Sequence, residues 1–437
     1  MRKSIRSIAA VACASVLAAS MLSACGNSSQ TGSTGSGGGA TGGQITLNLG
    51  YWDSKNQGET MQKLVEAYEK ENPNVKINLQ YTPYKGGEYW TKLEAAMNGG
   101  TAPDVFWVNC LHAKKYVEGN MMEPLDDAAK DAGLDMAKDF PEALVQTYTF
   151  DNKLYAIPKD FDTNALWYNK EIFDNAGVAY PTDDWTWDDM VAAAKKLTDT
   201  SKGIYGMAAP LDFQTCYWNT IFANGGSIMS EDQKSTMYSD PKTMGGLQPW
   251  IDLIQKDKVS PDINTLTDTS ADTLFESGKV AMIYGADYMI AEYMAADTVK
   301  DKINLVRIPT FNGKRGNVIN GLGYAVYTKS KQKEAAKKLA AWMGSAEAMK
   351  IQGEVGAVIS ARNDAQQYFV KTRPNLNLQV YLDAVADAKP LPTVTVASEM
   401  LDNETKYLKQ AWAGTMSLED ACKQLDAENK TLLAKEK

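Results

Sequence analysis

One histidine, His112, stands in 437 residues. That scarcity excludes a histidine-rich metal site and leaves a Ser–His–Asp hydrolase a single residue to depend on. Cysteine is almost as thin, with five in the chain. Cys13 and Cys25 fall near the N-terminus, and Cys110, Cys216 and Cys422 are an odd number at wide spacing. They offer neither a disulfide framework nor a metal-ligand pattern. Positive charge is in deficit: 45 Lys and Arg against 54 Asp and Glu give a formal charge of −9. Residues 1–24 hold three basic residues and no acidic one, so the remainder is more acidic still. Nucleic acids and anionic membranes are bound through Lys and Arg, and this balance disfavours both. No internal repeat occurs, and no long apolar run follows the N-terminal one.

The length is about three times that of a usual domain, and 44% apolar content suffices for sizeable cores, so two domains are expected. Residues 1–6 are basic and residues 8–22 are apolar or small, a run too short for a comfortable membrane span. It ends in Leu22-Ser23-Ala24-Cys25-Gly26. This resembles the lipobox of bacterial lipoproteins, which implies a signal peptide over 1–24 and Cys25 as the lipidated first residue of the mature protein. Residues 26–43 are almost wholly Gly, Ser, Thr, Asn, Gln and Ala. Such a tract cannot bury enough surface to fold, and as a flexible linker over 25–43 it would span roughly 20–25 Å.

The folded part opens as a β-α-β unit. Ile45, Leu47 and Leu49 alternate with polar residues; Met61, Leu64, Val65 and Tyr68 share a helical face; Val75, Ile77, Leu79 and Tyr81 alternate again. A helix follows over 89–97, then the continuous apolar run 105–108 of a buried strand. This order argues for an α/β fold with a largely parallel sheet, in which ligands bind beyond the carboxyl ends of the strands. Two loops are thereby singled out, 50–58 and the chain from Asn109 onward. Further along, Thr186 with Asp189 caps a helix ending at Leu197, strands are expected over 279–284, 304–308 and 324–328, and helices over 333–343 and 346–352. A helical C-terminal stretch runs from Ser398, with a second cap at Ser417.

Several short motifs occur in a fixed order: Thr101-Ala102-Pro103-Asp104-Val105-Phe106-Trp107; Lys153-Leu154-Tyr155-Ala156-Ile157-Pro158; Tyr168-Asn169-Lys170 with Phe173 and Gly177; Phe275 to Met282; and Gly321-Leu322-Gly323-Tyr324 ahead of Lys329-Ser330-Lys331. In this order the chain resembles the family 1 extracellular solute-binding proteins of ATP-binding-cassette importers, the maltose-binding-protein-like carriers. The resemblance implies a two-lobed periplasmic-binding-protein type II fold, α/β in each lobe, with a ligand cleft between lobes and a hinge closure. It implies three chain crossings, near 158–163, 312–320 and 355–360. Lobe one would be 44–159 plus 318–356, and lobe two 164–312 plus 360–437. It implies no catalysis, cofactor or metal, a monomer, and a membrane permease as partner at the outer face of a Gram-positive cytoplasmic membrane.

The same resemblance nominates ligand contacts. An acidic residue six before the Tyr of Tyr-Asn-Lys binds ligand in the family, which points to Asp162 and, beside it, Asp160. Trp52 and Asp53 lie in the loop after the first strand. Trp107 and Asn109 end the third, where the charged pair of maltose-binding protein is replaced by Cys110-Leu111, a departure that puts maltodextrin specificity in doubt. Trp218 precedes a helix leading to Gly225-Gly226, and Tyr284 and Asp287 flank a later strand end. His112 reads as a satisfied loop histidine. A sugar site needs directional polar groups and flat aromatic faces, and the chain has ten Trp and 21 Tyr against ten Phe. Two other readings stay open here. Asp53, Asp160, Asp162 and Asp287 could hold a polyamine-like cation, and two of the carboxylates could serve a surface glycoside hydrolase.

Overall fold

The computed structural model describes residues 43–53, 57–83 and 87–435. The expected leader, Cys25 and all of the linker but Gly43 lie outside the described residues. The first sheet is built by the alternation read above. Strand β1 (Ile45–Asp53) buries Leu47 and Leu49 and pairs in parallel with β2 (Val75–Pro83) and β3 (Val105–Asn109). The crossovers are α1 (Gly58–Glu71), which buries Met61, Leu64, Val65 and Tyr68, and α2 (Glu88–Gly99), which buries Tyr89, Leu93 and Met97. Helix α3 (Cys110–Glu118) leaves directly from the end of β3.

Two later strands complete this sheet. Leu322–Val326 lies antiparallel between β3 and Ala156–Pro158. Four of its five strands therefore run the same way, as expected of a largely parallel sheet, and Leu322–Val326 is reversed. The physical reason is the route of the chain. Strands separated by an α-helical crossover return parallel, whereas Leu322–Val326 enters from the opposite end after a long excursion. A second sheet has the order Ile303–Arg307, Asn164–Asn169, Met282–Ala286, with every pair antiparallel. The last of these was expected three residues earlier. Lys279 and Ala281 instead bond through their backbones to Tyr205, and the ladder with Asn164–Asn169 begins only at Met282.

Each sheet has its own apolar core. Leu47, Phe106, Ile157, Tyr324 and Leu339 pack together around the first. Leu166, Trp218, Trp250, Met282 and Trp412 pack on one side of the second, and Trp167, Ile283, Leu305 and Phe369 on the other. The helix Trp187–Leu197 starts at a full capping box in which Thr186 and Asp189 serve each other's backbone N–H, and Ser417 caps Leu418–Leu433 through the Asp420 N–H at 3.1 Å.

Three segments run between the sheets and bond to one another. Asp160–Phe161 pairs antiparallel with Ile359–Ser360, and Asp162 exchanges backbone hydrogen bonds of 2.9 and 3.2 Å with Asn320. The Lys159 N–H donates to the Leu322 carbonyl at 2.7 Å, and the Ala361 N–H donates to that of Lys159 at 3.1 Å. Gly321 makes this approach possible, because a Cβ there would fall far inside contact with the Asp160 carbonyl oxygen. Gly321→Ala should therefore wedge the junction and cost about 1–3 kcal/mol of stability. Denaturant unfolding checks it; an unchanged midpoint would mean the segments separate without penalty.

Candidate functional site

The junction between the sheets collects the charged residues. Lys159 is fully buried, its Nζ lying 2.5 Å from Asp160 Oδ2, 2.6 Å from Gln57 Oε1 and 4.2 Å over the Trp107 ring. A buried ammonium is tolerable only when paired and hydrogen-bonded in this way. The other oxygen of Asp160 accepts the Leu322 N–H at 2.8 Å. Asp160, 5% exposed, is thus engaged on both oxygens by the protein itself.

Asp162 is different. It follows Asp160 by two residues, so on an extended backbone both side chains leave on the same side. It is only half-buried, and its Oδ1 accepts a hydrogen bond from Gln214 Nε2. Asn320 Nδ2 donates to Gln214 Oε1 at 3.3 Å, and the Cys110 thiol donates to Asn320 Oδ1 at 3.2 Å. This polar chain runs from the first joining segment to the start of α3. Burial, then the negative charge of Asp160, push the Asp162 carboxyl up to about 8, against the lowering effect of Gln214.

Asp287 does not stand on a cleft wall as expected. It is completely buried; Oδ2 accepts the Ile359 N–H at 3.2 Å, and Oδ1 has no hydrogen-bond partner. Burial and then the charge of Asp162 raise its carboxyl well above the usual range. Its role is to tie the end of Met282–Ala286 to the third joining segment. Trp218 is likewise a core residue, 2% exposed, with Nε1 donating to Glu404 Oε1 at 2.9 Å. The helical spacing that puts it ahead of Gly225-Gly226 turns it inward. Tyr284 is buried too, yet it lines a cavity of about 350 Å³ together with Asp212, Thr215, Tyr288 and Lys409.

Aromatic residues gather where β1 and β3 end. Trp52, half-buried, packs edge-on against Trp107 and Trp90 with centroids 5.4 and 5.0 Å apart. Trp107 itself is fully covered. His112 belongs to α3 rather than to a loop. It stacks on Trp90 at 3.8 Å, its Nδ1 lies 2.8 Å from Asn109 Oδ1, and its Nε2 lies 3.4 Å from Ser398 Oγ. Burial pushes its pKa down to about 3, so the ring is neutral. Asp53 ends β1, and its side chain lies outside the described residues. The structure thus gathers Asp160, Asp162, Trp52, Trp107 and Asn109 around one end of the first sheet. Lys159, Gln57, Trp90, Gln214 and Asn320 were not foreseen there. A lysine next to two aspartates in a crossing could have signalled the ion pair; the reach of Gln214 across 52 residues of sequence had no local sign.

The sequence model of the family described as bacterial extracellular solute-binding protein matches residues 51–350, well over half of the chain. The chain belongs to this family. Among solved structures, an ABC substrate-binding protein from Listeria monocytogenes in complex with cycloalternan is similar to this solute-binding protein at a TM-score of 0.82. The two are 27% identical, over 89% of this chain and 99% of the other. The galactooligosaccharide-binding protein of Bacillus subtilis is 26% identical over 72% of this chain and 73% of its own length. The diacetylchitobiose-binding protein of Streptomyces coelicolor is 24% identical over 90% of each chain. The two-lobed architecture of such binding proteins is the fold described above.

Two carboxyls give this solute-binding protein a stability that depends on pH. Burial raises Glu404 to about 7, as it raises Asp162 to about 8. Unfolded, both ionise near pH 4, so between about pH 4 and their folded values the native state holds more protons than the unfolded chain. Their contribution is intact below pH 4 and is lost as pH rises through 7 to 8. Glu404→Gln, which keeps an acceptor for Trp218, should flatten the fall of stability between pH 5 and 7. Denaturant melts of variant and parent with equal slopes against pH would disprove it.

Proposed function

We propose that this solute-binding protein captures a sugar or oligosaccharide outside the cell and delivers it to an ATP-binding-cassette importer. The observation that carries the reading is Asp162, a half-buried carboxylate at the junction of the two sheets. Hydroxyl donors from a bound solute favour the ionised form of Asp162 against the burial that raises its pKa. An ionised carboxylate accepts such donors strongly, and nearby indole rings such as Trp52 suit the C–H faces of a sugar. Asn109 and Tyr284 are further proposed contacts, with Asp53 at the end of β1. The sugars named in the similar proteins support the solute class. The polyamine reading loses ground because Asp160 already neutralises Lys159 and Asp287 is sealed from solvent, so the cluster does not present a concentrated negative charge.

The lobes proposed are 44–159 plus 318–356 and 164–312 plus 360–437. The core of the first sheet, wholly within the first of these, supports them, while Phe140, Leu144 and Met349 of the first pack into the core of the second. A lipid on Cys25 would hold the protein at the outer face of the cytoplasmic membrane, with the permease as its partner; the lipobox-like sequence supports this. Cys25→Ser should release the protein from cells or leave it unprocessed, and fractionation in which the variant still sediments with membranes would count against the anchor.

A thermal-shift screen with cycloalternan, galacto-oligosaccharides, diacetylchitobiose, free amino acids and polyamines tests the solute class. Saturating sugar at 100 times its dissociation constant should stabilise the native protein by roughly 2.7 kcal/mol. The sugar should be recovered intact, without new reducing ends. Asp162→Ala should then weaken sugar binding by roughly 10- to 150-fold, the loss of one charge-assisted hydrogen bond. Calorimetric titration showing equal affinity in parent and variant would refute the site.

A further inference from the structure

We infer that Gln214 determines affinity and selectivity at Asp162 by standing in for the solute: its amide occupies the carboxylate oxygen that a ligand hydroxyl would use, and a solute must displace it. The inference rests on the proposed site at Asp162.

Gln214 lies in the π-helical turn Phe213–Tyr217, which begins where the Asp212 carboxylate accepts the Thr215 N–H at 2.7 Å. Such a turn inserts an extra residue into a helix and re-aims the side chains on it. The backbone of Gln214 is held independently of its side chain. Its carbonyl oxygen accepts from Asn164 Nδ2 at 2.8 Å and from Asn219 Nδ2 at 3.0 Å. Both asparagines are buried, so the amide is delivered to Asp162 from a fixed base. Once there, it donates to Asp162 Oδ1 and accepts from Asn320. An N–H donor on a carboxylate offers what a sugar hydroxyl offers, one polarised hydrogen.

The consequence is competition. A solute that takes Asp162 Oδ1 gains only the difference between its own hydrogen bond and the one already made. Solutes presenting a single weak donor gain nothing, and those that also re-satisfy the displaced amide are favoured. Gln214 thereby raises the threshold for capture.

Gln214→Met keeps the length of the side chain and the backbone anchors while removing the amide. With the sugar that binds best among cycloalternan, galacto-oligosaccharide and diacetylchitobiose, its dissociation constant should fall at least 10-fold. In an Asp162→Ala background the same change should leave affinity alone. Without ligand, carboxyl-carbon NMR should show Asp162 titrating at higher pH in Gln214→Met, because a donor to its ionised form is gone; a merely structural residue would not move it. Weaker or unchanged binding by Gln214→Met, tightening that persists without Asp162, or an unmoved Asp162 titration overturns the inference while leaving the proposed site standing. If Asp162→Ala by itself binds the sugar as well as the parent, the site at Asp162 fails and the inference falls with it.

Discussion

The buried ammonium of Lys159 is the constraint on which the junction depends. A cation with no exposed surface must find its partners inside, and here Asp160, Gln57 and the Trp107 ring supply them. Those partners come from the first joining segment, the far side of the β1 loop and the third strand, so one charge fixes three parts of the chain relative to each other. Removing either member of such a pair leaves a buried charge uncompensated, at about 3–5 kcal/mol. The backbone bonds among residues 159–162, 320–322 and 359–361 can then form in one register only.

The three aspartates at the junction meet different fates. Asp160 becomes half of the ion pair. Asp287 is sealed against the Ile359 N–H, with burial and the neighbouring carboxylate favouring its neutral form. Asp162 keeps partial contact with solvent and a neutral amide as its partner. The cluster is therefore not a pool of negative charge. It is one structural pair, one structural carboxyl and one adaptable acceptor, an arrangement suited to a neutral polyhydroxyl solute more than to a polycation.

The aromatic residues near this acceptor are ordered by packing. Trp107 is covered by Tyr51, Trp52 and the Lys159 ammonium, whereas Trp52 and Trp90 remain half open. His112 joins them as a neutral ring pinned between Asn109 and Ser398. Since Ser398 lies in the first turn of the long helix Ala397–Trp412, this contact also links the end of the first sheet to the C-terminal helices. Position in the fold, more than residue type, separates the tryptophans that could face a ligand from those that fill cores.

Local pattern was enough to read most elements. Period-two alternation at Ile45–Leu49 and Val75–Tyr81, the helical face of Met61 to Tyr68, and the caps at Thr186 and Ser417 all act within a few residues, so the sequence by itself determined them. The order of short motifs likewise pointed to the family. Strand direction was less legible: Leu322–Val326 runs antiparallel because of a route through the second sheet. The site was legible at Asp160 and Asp162 and illegible in its sorting. Whether a carboxylate is paired, sealed or open depends on which atoms arrive from 52, 72 or 162 positions away, and whether a tryptophan faces inward depends on what packs over it. Those are properties of the assembled tertiary structure, since hydrogen bonding and burial are decided by proximity in space and not along the chain.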